Sequence, residues 1–286
     1  MADMANNNHE QFPYTVDVFN KYKKANMVDL SVFQKYYLAK TPKMTDKPDI
    51  FARPDIVARI NKIIQNKNNS NSDIELFNKI RSNLNKVNNK MLIDNQDNKL
   101  HVIIDELTSL QYTNLNHFQK LSTMILEKTI SENKFTLIYA KLCKELFPYY
   151  IENDNETIYF RQVLISQCQS WFAKFMAESE KTPKEKLVGL ASFISHLYNN
   201  KLISSLAIKK CFDDMVAEIY KSTDIAEGIT SMATLSYVSL MTENINSSNY
   251  IKNMINQIII NPNLQVKSKF ALQNALDKIA VFDKKQ

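Results

Sequence analysis

Apolar residues recur at three- and four-residue spacing along most of this chain, the period of an amphipathic helix. Phe135, Ile138, Tyr139, Leu142, Cys143 and Leu146 draw one stripe; Leu121, Met124, Ile125 and Leu126 draw another just ahead of it. The two predicted helices meet across a short Ser-Glu-Asn turn, with Ser131 placed to cap the second and Glu132 in its first turn. The same spacing predicts helices over 74–86, 99–110, 116–129 and 135–147. An acidic loop over 152–156 then leads into a long helix bearing Ile158, Val163, Leu164, Cys168, Phe172 and Phe175. Beyond the polar stretch 177–186, Leu187, Leu190, Ile194 and Leu197 mark one helix, and Leu206, Cys211, Met215 and Ile219 its partner. Stripes over 229–241, 250–260 and 266–282 complete the series.

A helical hairpin cannot bury its own apolar face and needs stacked neighbours. Roughly ten helices, with a pair-to-pair spacing of about 40 residues, predict an all-α, HEAT-like helical-repeat solenoid of about five antiparallel helix pairs. No exact sequence repeat is visible. Only 2 glycines occur, Gly189 and Gly228, so φ > 0 turns and phosphate-cradling glycine loops are nearly excluded. Helical architecture tolerates that shortage.

Ahead of the helical body the composition changes. Residues 1–11 are polar and Asn-rich, whereas 13–40 are dense in aromatic and aliphatic side chains. Too short to fold alone and too apolar for a plain linker, the segment 1–40 is expected to dock on its own domain or a partner. Residues 41–55 hold Pro42, Pro48 and Pro54 and are expected to form an extended linker. A short helix over 56–64 and a polar loop over 66–73 open the domain 56–286.

Chemistry is sparse. His9, His101, His117 and His196 have no metal-ligand spacing, so neither metal nor cofactor is expected, and His196 reads as a packed or half-exposed histidine. Asp213 and Asp214 adjoin on a predicted helix and diverge. Trp171 reads as a core or groove-lining residue. Cys143, Cys168 and Cys211 each sit in an apolar stripe, as buried free thiols of a reducing compartment do. No apolar run approaches the ~20 residues that span a bilayer. The expected location is therefore the cytoplasm, without a membrane partner. A net charge of +6 permits a polyanion such as RNA without demanding one. The abundance of Asn and Lys over Gly points to an AT-rich genome and no function.

Specific motifs go further. Arg81-Ser82 with Leu84-Asn85-Lys86 reproduces R-S-x-L-N-K. Glu127-Lys128, Ile130-Ser131-Glu132, Phe135, Tyr139-Ala140 and Cys143 reproduce E-K-x-I-S-E-x-x-F-x-x-x-Y-A-x-x-C. Phe160-Arg161, Cys168-Gln169, Gly189, Phe193-Ile194, Leu197, Phe270, Leu272-Gln273 and Leu276-Asp277 follow in order. With these, residues 55–282 resemble the middle domain of eukaryotic translation initiation factor 4G, the scaffold of the cap-binding complex. The resemblance implies five stacked helical hairpins, no enzymatic activity, and binding of the DEAD-box RNA helicase initiation factor 4A across its two lobes. By matching position, Leu84, Val87 and Leu92 stand where the family needs apolar residues for the helicase; Arg81, Asn85 and Phe270 are further candidates. Leu84 and Phe270 are equally readable as supports of the fold. The family's tryptophan ahead of the first repeat has no counterpart in residues 41–73.

Family scaffolds also bind the cap-binding protein, initiation factor 4E, through Y-x-x-x-x-L-Φ. Tyr22, Met27 and Val28 fit it with Met in place of Leu; a poorer frame runs from Tyr14 to Phe19. The expected function is a compact scaffold, in a cellular or viral setting (the host cytoplasm if viral), that tethers the helicase to the cap-binding protein on mRNA. Two alternatives stay open: a middle-domain regulatory adaptor without cap-binding-protein contact, and a solenoid that binds RNA directly.

Overall fold

The structure, a computed structural model, describes residues 71–88, 91, 97–153 and 156–284. All of them belong to Asp49–Gln286, one of the two units into which the chain divides. The readings made for 1–40, for the 41–55 linker and for a helix over 56–64 lie outside the described residues.

Ten α-helices occur among the described residues: α1 (Asn71–Leu84), α2 (Asp97–Thr108), α3 (Leu115–Ser131), α4 (Thr136–Leu146), α5 (Phe160–Ala177), α6 (Lys184–Asn199), α7 (Ser205–Ala217), α8 (Thr223–Glu243), α9 (Ile245–Ile259) and α10 (Val266–Asp283). They stack as five consecutive pairs in two layers. In the even layer α2 packs on α4, α4 on α6, α6 on α8 and α8 on α10. In the odd layer α1 packs on α3, α3 on α5 and α7 on α9, while α5 and α7 scarcely meet. One continuous apolar core runs between the layers, from Phe77 and Ile80 to Leu272 and Ile279. The all-α solenoid expected from the periodicity is the fold.

Local chemistry fixes the helix starts. Asn114, Ser204, Ser222 and Asn244 each accept a backbone N–H of the following first turn, at α3, α7, α8 and α9. Ser131 departs from expectation. It ends α3, and its hydroxyl donates back to the Glu127 and Lys128 carbonyls instead of capping α4. A 3-10 turn, Asn133–Phe135, intervenes, and α4 starts at Thr136 with no side-chain cap bond. Glu132 is likewise not in a first turn: it closes α3, accepting Lys128 Nζ at 2.7 Å and the buried Tyr139 hydroxyl at 3.1 Å.

The acidic loop expected over 152–156 is replaced by a β-hairpin of β1 (Tyr150–Asn153) and β2 (Glu156–Tyr159). Tyr150 pairs with Tyr159, Ile151 with Ile158, Glu152 with Thr157 and Asn153 with Glu156. Ile158 is thus a strand residue, not part of α5. It and Ile151 turn inward to the core, which anchors a two-stranded unit that is marginal by itself.

A repeat invisible as sequence identity emerges in the even layer. Ser192 of α6 and Ser231 of α8, 39 residues apart, share a hydrogen bond of 2.6 Å. Gly189 and Tyr198 in α6 stand in the same relation to Gly228 and Tyr237 in α8. The Tyr198 hydroxyl donates to Glu243 at the end of α8 (2.9 Å), and Tyr237 donates to Asp283 at the end of α10 (2.8 Å). Lys201 and Lys252 complete these two clasps through the same carboxylates.

Candidate partner-binding surfaces

The candidate residues of the first pair divide by the helical period. In α1, Phe77, Ile80 and Leu84 face the core, and Val87 joins them just past the helix end. Arg81 and Asn85 lie on the opposite, exposed side. Arg81 donates to the Asn78 side chain at 3.3 Å, and the Asn85 amide donates to the Arg81 carbonyl at 3.0 Å. Lys86 ion-pairs with Glu106 of α2, and His117 of α3 meets Asp73 of α1 at 2.9 Å, so the first pair is held from two sides. Leu84 is 1% exposed, so its contribution is to position α1; Val87 does the same for the chain beyond it. Arg81 and Asn85 offer polar side chains to a partner. Leu92 lies outside the described residues, as do Tyr14, Phe19, Tyr22, Met27 and Val28.

At the other end of the array, Phe270 is 68% exposed on α10, whose core face is Ala271, Leu272, Ala275 and Ile279. Its side chain is not supporting the fold. Val266, one helical turn earlier, and Ile260, just after α9, are equally bare, and Tyr220 borders them through the Asn261 side-chain bond to its hydroxyl. These three neighbours were missed from the sequence. The signal was present: Val266 and Phe270 are spaced i, i+4 but fall off the stripe that Leu272, Ala275 and Ile279 define. The structure thus places Arg81 and Asn85 on the first pair and Phe270 on the fifth, and does not bring them into one site.

The remaining chemistry-bearing groups are locked in the core. Cys143, Cys168 and Cys211 are free and buried, as expected; burial pushes the Cys168 thiol up to about 12 and the other two upward as well. Such thiols stay protonated and unreactive. His196 is half-buried, its Nδ1 is buried with no partner, and desolvation lowers its pKa. Asp213 and Asp214 diverge, to Lys209 with Tyr250 and to Lys210 respectively. Trp171 is partly buried against the core beside Phe175. Among the described residues no group of three or more His, Cys, Asp or Glu could hold a metal ion, and no helix is long and apolar enough to cross a membrane.

Residues 77–250, more than half of the chain, match the model of the MIF4G domain family. Among curated proteins the chain is similar to eukaryotic translation initiation factor 4 gamma 3 of Mus musculus, 28% identical over 115 residues. That stretch is 39% of this chain and 7% of the mouse protein. The human protein of the same name matches to the same extent. Eukaryotic translation initiation factor 4G of Cucumis melo is 20% identical over 202 residues, 61% of this chain and 11% of that protein. The chain therefore spans only a small part of the length of these relatives.

Proposed function

This chain belongs to the MIF4G domain family, and we propose on that premise that it is a non-catalytic adaptor of translation initiation. In this reading it binds a DEAD-box RNA helicase of the initiation factor 4A type through its two ends. Arg81 and Asn85 meet one lobe, and Phe270 with its bare apolar neighbours meets the other. The observation that supports this is the separation of the exposed candidates onto the first and fifth pairs of a rigidly packed array. A partner with two lobes can reach both. Residues 1–40 tether the cap-binding protein through Tyr22, Met27 and Val28, with Tyr14 and Phe19 as the lesser frame, which brings helicase and cap together on mRNA in the cytoplasm.

Capture of purified helicase and cap-binding protein by the full chain tests each half separately. Phe270→Ala is expected to weaken helicase capture alone, and Tyr22→Ala with Met27→Ala cap-binding-protein capture alone. A wild-type chain that captures neither protein refutes the reading. One that captures helicase but never the cap-binding protein leaves the adaptor of mRNA without the tether.

A further inference from the structure

The outward face of α4 is unlike the rest of the lysine-bearing surface. Lys134, Leu137, Lys141 and Lys144 recur at three and four residues and are all exposed, so one stripe about 15 Å long carries three cations. Elsewhere carboxylates hold the lysines: Lys128 pairs with Glu132, Lys209 with Asp213, Lys210 with Asp214 and Lys252 with Asp283. Among the described residues none of the three α4 cations has such a partner; Lys134 instead lies 4.8 Å from the Phe135 ring centroid. Glu145 is the one acidic side chain that borders the stripe within α4, so the face stays cationic.

Immediately beyond α4 the chain presents aromatic rings to solvent. Tyr150 is 52% exposed on the outward side of the hairpin, its ring 5.6 Å from that of Tyr159, at the hairpin's root next to α4. Core packing does not explain it, since the inward side is filled by Ile151 and Ile158. Glu152 follows toward the tip on the same outward side.

A row of free ammonium groups leading to a bare aromatic ring fits one ligand class, a single strand whose phosphates follow the cations and whose base stacks on the ring. We infer that the Lys134–Lys141–Lys144 face of α4 and Tyr150 of the hairpin form a binding track for single-stranded RNA, resting on the placement on mRNA proposed above. An acidic peptide would use the lysines and gain little from the tyrosine; a folded duplex would not offer a base face. Glu152 repels phosphate, so the strand leaves the surface before the hairpin tip.

The test uses the full chain, a labelled oligouridine of about 20 nucleotides and, as a baseless polyanion, inorganic polyphosphate. Lys141→Gln with Lys144→Gln is expected to weaken both ligands and to flatten the log–log salt dependence of RNA binding by about 1.4, near 0.7 for each cation lost. Tyr150→Ala is expected to weaken oligouridine about tenfold and leave polyphosphate unchanged. Oligouridine binding unaltered in either variant, or Tyr150→Ala weakening both ligands equally, overturns the proposal. Unfolding midpoints of both variants should equal that of the wild type, because the substituted side chains are exposed. Helicase capture by the same variants keeps the two ideas apart: unaltered RNA binding beside intact capture sinks the track alone, whereas lost capture in the wild type sinks only the helicase reading.

Discussion

Replacing each of the two glycines by alanine should give opposite results, although they stand at equivalent places in α6 and α8. A Cβ on Gly189 would lie 2.3 Å from Asn133 Oδ1, 2.7 Å from the Thr129 carbonyl oxygen and 2.9 Å from Ile130 Cα. Two of those atoms are backbone at the end of α3, so a side-chain rotation cannot clear them. Asn133 could swing away, but its Nδ2 would then lose the 3.0 Å bond to the Glu185 carbonyl that ties the turn to α6. Overpacking of this kind costs about 1–3 kcal/mol, and the lost hydrogen bond about 1 kcal/mol more. The better helix propensity of alanine returns about 1 kcal/mol. Gly189→Ala should therefore destabilise by about 1–3 kcal/mol. At Gly228 the nearest atom is Met215 Sδ at 3.3 Å, the end of a flexible side chain, and the next is Leu187 O at 3.9 Å. There the propensity gain dominates, and Gly228→Ala should be neutral or stabilising by up to about 1 kcal/mol. Urea unfolding followed by far-UV circular dichroism measures both. Midpoints that shift in the same direction would mean that close approach at α3 is not what requires Gly189.

Further outcomes follow from the same geometry. Leu84→Ala should destabilise by about 2–5 kcal/mol, as deletion of a buried Leu does, whereas Phe270→Ala should leave the melting temperature nearly unchanged; thermal melts of the two variants separate fold support from an exposed contact. Desolvation lowers the folded pKa of His196, so its neutral form favours the native state above the unfolded value near 6.5, and that stability is lost as pH falls through the folded value. The urea midpoint should accordingly drop between about pH 7.5 and about pH 5.5, and drop less in His196→Gln; equal drops refute the assignment. Tyr198→Phe and Tyr237→Phe should each lower stability by about 1 kcal/mol, a modest figure because Glu243 and Asp283 are partly exposed. The double variant should lose the sum to within about 0.5 kcal/mol, read from the same urea curves, since the two clasps share no residue.

The helices were legible because burial on one face imposes the 3.6-residue period whatever the partner. The stripe through Phe135, Ile138, Tyr139 and Leu142 is wholly in the core, as its spacing demanded. The hairpin was not read, although Tyr-Ile-Glu-Asn and Glu-Thr-Ile-Tyr flank a two-residue Asp154-Asn155 connection, the sequence form of a tight hairpin. Its acidic residues suggested a loop because the apolar set on each strand is a single isoleucine. Ser131 was misplaced because Ser-Glu suits an N-terminus, yet the chain used it to close a helix. The 39-residue repeat escaped notice because a solenoid constrains contacts and not identities. A glycine, a serine and a tyrosine are its visible remains. Of the candidate surface, Leu84 and Val87 matched the family motif by position and proved to be interior, while Arg81, Asn85 and Phe270 proved to be exposed. Sequence spacing cannot separate those roles where inward and outward residues alternate within one motif.

The uneven stacking of the two layers has a mechanical consequence. The even layer is continuous and clasped at α6–α8 and α8–α10, so it behaves as a spine of nearly fixed length. The odd layer is interrupted where α5 and α7 scarcely meet, which leaves little on that side to resist opening or closing. Bending should concentrate at this one joint and swing α7–α10 as a block against α1–α4. Small rotations there would be magnified at the termini of the array, making the reach between Arg81 and Phe270 an adjustable gauge instead of a fixed ruler.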